Sequence, residues 1–157
     1  MQFQLIPMEK NYAYTIANWH YEDIYAFYDL SQDVEDQQEF LDSNNWEGHY
    51  YAVVNNAQEL NGYFSFEFQE EAIIVGLGLK PSYTGKGLGT AFVTAGLGFA
   101  MQHFHPKKFC LEVATFNERA IRVYEKVGFK LDHLFINRTN GGDYEFAYMV
   151  YEISEKE

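Results

Sequence analysis

The feature that most constrains this chain is a break near its middle. An apolar run, Ala72–Leu79, is stopped by Lys80-Pro81-Ser82, and Thr84-Gly85-Lys86-Gly87-Leu88-Gly89-Thr90 follows. Leu88, Ala91, Phe92, Ala95 and Phe99 then recur at the spacing of one helix face. A strand that turns through glycines into a helix leaves the first helical N–H groups unpaired at a positive dipole end, which is an anion site. Spacing excludes two kinds of nucleotide loop. The dinucleotide fingerprint G-x-G-x-x-G finds Gly85 and Gly87 but Thr90 in third place. A Walker loop finds Lys80 and Gly87 where it needs Gly and Ser/Thr.

Composition bounds what surrounds this site. A chain of 157 residues predicts one domain, and 47% apolar against 22% charged residues excludes disorder. A single cysteine, Cys110, excludes a disulfide framework and a multi-cysteine metal site, and reads as a small buried hydrophobe. His103 and His105 stand two apart, a poor spacing for a shared helix-face site, so no metal is expected. No apolar run approaches the ~18 residues of a membrane span and no cationic leader opens the chain, so a cytoplasmic protein without a membrane partner is expected.

The net charge of −12 is unevenly spread: −13 over residues 1–79, +5 over 80–130 and −4 over 131–157. An acidic surface repels nucleic acid, while a basic segment within it points to one anionic ligand. Aromatic residues make up 18% of the chain, enough for a bulky core or a ring-lined pocket, and both readings stay open here.

Around the glycine loop, hydrophobic period and turn residues predict the other elements. Phe3–Ile6 reads as a strand stopped at Pro7, and residues 9–30 read as helical turns. Asp33 caps a helix reaching Leu41. Strands are expected at Tyr50–Val54, Gly62–Phe68, Phe109–Ala114, Lys130–Asn137 and Asp143–Ile153. Asn117 caps a helix that Gly128 ends. The plan is an α/β (α+β) domain around one mixed sheet.

Two segments carry a family likeness. Residues 77–90, ending Thr84-Gly85-Lys86-Gly87-Leu88-Gly89, resemble the pyrophosphate-binding motif [RQ]-x-x-G-x-[GA] of the GNAT N-acetyltransferase superfamily. Gly87 and Gly89 match its small positions, and Thr84 departs from the usual Arg or Gln, with Lys86 a candidate replacement cation. Residues 111–129, a strand, Asn117, then Tyr124-x-x-x-Gly128-Phe129, resemble its distal segment. The likeness covers residues 72–130 well. It implies a mostly antiparallel sheet of six to seven strands with about four helices, splayed at the centre. It further implies a single domain over 1–157: an acceptor-side half (1–70), an acetyl-coenzyme A core (72–130) and C-terminal strands (130–153), as a monomer or homodimer.

By that resemblance the co-substrate is acetyl-coenzyme A, without metal. It is held by the backbone of Leu77, Gly78 and Leu79, by Thr84, Gly85, Lys86, Gly87, Leu88, Gly89 and Thr90, and by Asn117. The reaction moves an acetyl group to a primary amine by direct attack. A lysine-like amine, pKa ~10.4, is neutral at pH 7 at a cost of about 4.6 kcal/mol, so a base is needed. Strand alternation puts Glu112 with Cys110 and Ala114, opposite Phe109, Leu111 and Val113. Burial would raise that carboxyl toward neutrality, which suits Glu112 as base, directly or through water; Glu67 and Glu71 are the alternatives. Tyr124 matches the donor to the leaving sulfur. Trp19, Tyr21, Tyr25 and Tyr28 lie among many acids and are expected to face a cationic small-molecule or peptide amine. The rival reading is a catalytically silent acyl-coenzyme A-binding regulatory module.

Overall fold

The structure, a computed structural model, describes residues 2–154. Seven strands, β1 (Gln4–Pro7), β2 (Tyr50–Val54), β3 (Leu60–Gln69), β4 (Ala72–Leu79), β5 (Lys108–Ala114), β6 (Lys130–Thr139) and β7 (Gly142–Glu152), form one sheet in the order β1-β2-β3-β4-β5-β7-β6. Every neighbouring pair is antiparallel except β4 and β5, which are parallel. A parallel pair needs a crossover helix, and the stripe read from the sequence supplies it. The helices are α1 (Lys10–Ala17), α2 (Val34–Leu41), α3 (Gly89–Phe104) and α4 (Glu118–Val127). The mixed, mostly antiparallel fold expected from the sequence is the fold observed.

Each face of the sheet has its own core. α3 and α4 cover Phe64, Phe66, Ile73, Val75, Phe109, Leu111 and Phe129, all buried. α1 and α2 cover Ala52 with Met8, Ile16 and Phe40, and Tyr63 packs against that group. A cap fixes where α2 starts. The Asp33 carboxylate accepts from the N–H of Glu35 and of Asp36, both at 3.1 Å. No helix among the described residues is long and apolar enough to cross a membrane.

One expected element differs. Residues 9–30 do not form a continuous helix: α1 ends at Ala17, and Asp23–Tyr28 and Leu30–Gln32 are short 3₁₀ turns. The cause is the buried carboxylate of Asp29. Its Oδ1 accepts the Tyr21 N–H at 2.8 Å, the N–H a continuing helix would have given to Ala17, and its Oδ2 meets His20 Nδ1 at 2.9 Å. The aromatic segment therefore runs as a strap. The Asn140 side chain donates to the Phe27 carbonyl at 2.7 Å, and the Phe27 ring meets Phe116, Tyr144 and Phe146.

Candidate active site

The parallel pair is short. β4 and β5 are joined only from Ala72↔Lys108 to Ile74↔Cys110, although β4 runs on to Leu79 and β5 to Ala114. Beyond that point β4 is bonded on its β3 side alone and β5 on its β7 side alone. The sheet is thus split at its centre, with one edge of β4 from Gly76 to Leu79 lacking a strand partner. Backbone groups left in this way need partners from elsewhere, a ligand included.

A cavity of about 440 Å³ lies against the unpaired stretch of β4. Its wall takes Leu77 and Leu79 from β4, Phe92 and Val93 from α3, and Tyr124 from α4. It also takes Tyr63, which packs on the α1–α2 side, and Tyr21, Tyr25 and Tyr28 of the strap. The cavity therefore passes from one face of the sheet to the other. Gly78 makes room for the Tyr63 ring, because a Cβ there would collide with it.

The glycine loop closes one end. Gly85 and Gly87 sit at φ +71° and +78°, a left-handed backbone that favours glycine. α3 starts without a side-chain cap, so its leading N–H groups are free beside Thr84, Gly85, Gly87, Gly89 and Thr90, which line the cavity. Gly89 lets α3 approach α4, since a Cβ there would lie 3.0 Å from Val123 Cγ2. Lys86 is exposed and, like Leu88, does not line the cavity. The cations in the wall are Arg119 and Lys126 of α4.

Tyrosines close the other end. The Tyr21 hydroxyl donates to the Leu79 carbonyl at 2.8 Å, tying the strap to β4 and occupying a group the sequence reading had assigned to the co-substrate. The Tyr28 hydroxyl is buried beside the Asn117 side chain and the Ala114 backbone, without a hydrogen bond of full geometry to either. Asn117 caps α4 through its side-chain oxygen, which accepts from the Ala120 N–H at 3.2 Å. Burial holds the Tyr124 phenol well above its ordinary range, and the nearby Tyr28 and Tyr63 phenols add to this. It therefore stays protonated and able to donate at any working pH.

A model of the acetyltransferase (GNAT) domain matches residues 3–130. The chain belongs to the GNAT acetyltransferases. It is an acyl-coenzyme A-dependent enzyme that transfers an acetyl group to an amine.

Solved structures of this family share its whole fold. A chimera of the spermidine N-acetyltransferase from Vibrio cholerae with hSSAT superposes with a TM-score of 0.80 at 19% identity, over 97% of this chain and 96% of that one. The Vibrio cholerae enzyme in complex with CoA and spermine gives 0.77 at 17%, over 96% and 95%. A GNAT-family acetyltransferase from Bacillus anthracis gives 0.74 at 17%, over 100% and 97%. No curated protein matches the sequence.

In this acetyltransferase the expected base stands beside the cavity and not in its wall. Glu112 lies two residues past the last β4–β5 pair, opposite Tyr148 of β7, on the face that also carries Tyr63, Gly76 and Gly78. Its side chain reaches solvent at the mouth of the split while the neighbouring sheet still shields part of its carboxyl. Partial burial raises its carboxyl above the ordinary range, the Glu67 carboxylate raises it further, and His133 pulls it down. Glu71 is paired with Lys107 Nζ at 3.2 Å beyond the joined end, which leaves Glu67 as the carboxylate neighbouring Glu112. Trp19 packs into the α1–α2 core and does not line the cavity.

The sequence reading missed Tyr63 and Arg119. Tyr63 is placed opposite Gly78 by strand register, and a large residue facing a strand glycine is the signal that could have found it. Arg119, two residues after the capping Asn117, offered only its charge.

Proposed function

We propose that this acetyltransferase acetylates cationic primary amines by direct attack on the thioester of acetyl-coenzyme A, in the split between β4 and β5. The observation that carries the reading is a cavity crossing the sheet, with free helix N–H groups at one end and tyrosines at the other. The co-substrate fits these residues. Its pyrophosphate would meet the N–H groups of the Gly85–Gly89 loop and α3, and its pantetheine arm the unpartnered edge of β4. The thioester supplies the activated acyl carbon.

The amine enters from the strap side. The C–N bond forms as the C–S bond breaks. Glu112, with Glu67 beside it, takes the amine proton directly or through one water, and Tyr124 gives a proton to the departing sulfur. The −13 charge of residues 1–79 draws cations to this face, and the Vibrio cholerae relative holds spermine.

Acetyl transfer measured over an amine panel tests the proposal. Polyamines and lysine-like amines are expected to react best, with KM rising as salt screens the exposed charges beyond ~8 Å. Neutral aromatic amines that outperform them would overturn the acceptor class. Acetyl-coenzyme A binding without transfer to any amine would favour the silent module.

A further inference from the structure

Three positive features meet at the loop end of the cavity, and among the described residues the one formal charge in the set, Arg119, makes no ion pair. The first is the uncapped start of α3. The second is the pair of loop glycines in the left-handed conformation, whose backbone forms an anion-binding concavity. The third is Arg119 in the first turn of α4. Its guanidinium carbon stands 4.2 Å from the centre of the Tyr25 ring, and its Nη1 lies 3.1 Å from where a Cβ on Gly85 would sit. Among the described residues no carboxylate forms an ion pair with Arg119, in a chain with 23 acidic and 11 basic side chains. Like-signed groups held together in this way repel one another until an anion from outside sits between them.

The loop's own side chains cannot fill this role. The Thr84 hydroxyl, at the position where an Arg or Gln is usual, donates back to the Pro81 carbonyl at 2.8 Å. Lys86 is exposed outside the cavity. Arg119 does line it, and its planar fork suits phosphate oxygens in a way a lysine does not. Cation–π contact with the Tyr25 ring holds the guanidinium beside the loop, and the strap that carries Tyr25 is anchored to β4 through Tyr21.

We propose that Arg119 is the cation of the diphosphate site, supplied from α4 in place of the loop side chain at position 84, and that Tyr25 is its positioning residue. The ligand class is a diphosphate-bearing acyl thioester, so the inference rests on the acetyl-coenzyme A reading. The cation is then held by the same strap that borders the acceptor side.

Calorimetry with coenzyme A, together with kinetics on acetyl-coenzyme A and on a phosphate-free S-acetyl thioester of the pantetheine arm, tests this in the full chain. Arg119→Ala is expected to weaken coenzyme A binding 10- to 100-fold and flatten its salt dependence. The phosphate-free donor should lose less than about threefold in kcat/KM. Arg119→Lys should fall between. Tyr25→Leu should weaken coenzyme A severalfold and Tyr25→Phe should restore it, because the ring and not the hydroxyl holds the guanidinium. A folded Arg119→Ala protein with wild-type coenzyme A affinity overturns the proposal, as does an equal loss with both donors, which would make Arg119 merely structural. If the wild-type chain itself fails to bind coenzyme A, the acetyl-coenzyme A reading falls, and this proposal with it.

Discussion

The two ends of the β4–β5 pair are built from the same strands to opposite purposes. At the joined end, Ile73 and Phe109 face each other in parallel register, each almost fully buried under the α3–α4 core. At the open end, Leu77–Leu79 face a cavity lined by tyrosines and the start of α3. The sheet does not come apart, because β3 holds β4 and β7 holds β5 along their full lengths. A central split costs the fold few hydrogen bonds when each half is anchored to an outer neighbour, and it creates the concave, part-apolar space that substrates need.

Changes at the open end should act on turnover, and changes at the joined end on stability. The largest effect is expected for Gly78→Val. Its side chain would collide with the Tyr63 ring inside the cavity, so acetyl transfer should fall below detection while a folded protein is still seen by circular dichroism. Next is Glu112→Gln, which should lower kcat/KM at neutral pH by roughly 10²–10⁴-fold, the usual range for a lost general base. That defect should shrink as pH rises and more amine is already neutral. Wild-type activity at this site should fade as pH drops through the raised Glu112 pKa.

Tyr124→Phe should cost on the order of 10²-fold, the scale of a lost transition-state donor. The loss should be constant across pH, since burial keeps the phenol protonated, and smaller for a thioester with a more acidic thiol. At the joined end, Ile73→Val should cost roughly 0.5–1.5 kcal/mol by denaturant titration and leave kcat/KM unchanged. A drop in kcat/KM there would break the division between the two ends.

The smallest effect concerns stability at the mouth of the split. Because folding raises the Glu112 pKa, the charged form disfavours the folded state above that pKa. Glu112→Gln should therefore raise Tm slightly near neutrality, and the advantage should vanish as pH falls below the ordinary glutamate range.

How far the sequence could be read follows the same contrast. Strands, the glycine loop and the caps at Asp33 and Asn117 depend on residues close together in the chain, and they were legible. The strap was not. Its ring spacing imitates a helix, and only the burial of Asp29, with Tyr21 and His20 gathered on its carboxylate, redirects the backbone. Nor was the full cavity wall legible. Tyr63 enters by pairing with Gly78 across a hairpin, and Arg119 by docking of α4 beside the loop. The place of Glu112 beside the cavity depends on where the β4–β5 pairing stops. Alternation gives its face but not that endpoint.

The anchoring of the strap has a consequence for the order in which this molecule assembles. Its two fixing hydrogen bonds join residues 58 and 113 positions apart, and none of the residues from Asp23 to Tyr28 is fully buried. Closing such long loops yields few contacts until the sheet already stands, so the strap should be the last segment to settle during refolding. For the same reason it should be the first to come loose. Its amide protons should exchange through small local openings, while those of β3 and β4 wait for global unfolding. The acceptor side of the enzyme can thus breathe while the glycine loop and the split keep their shape.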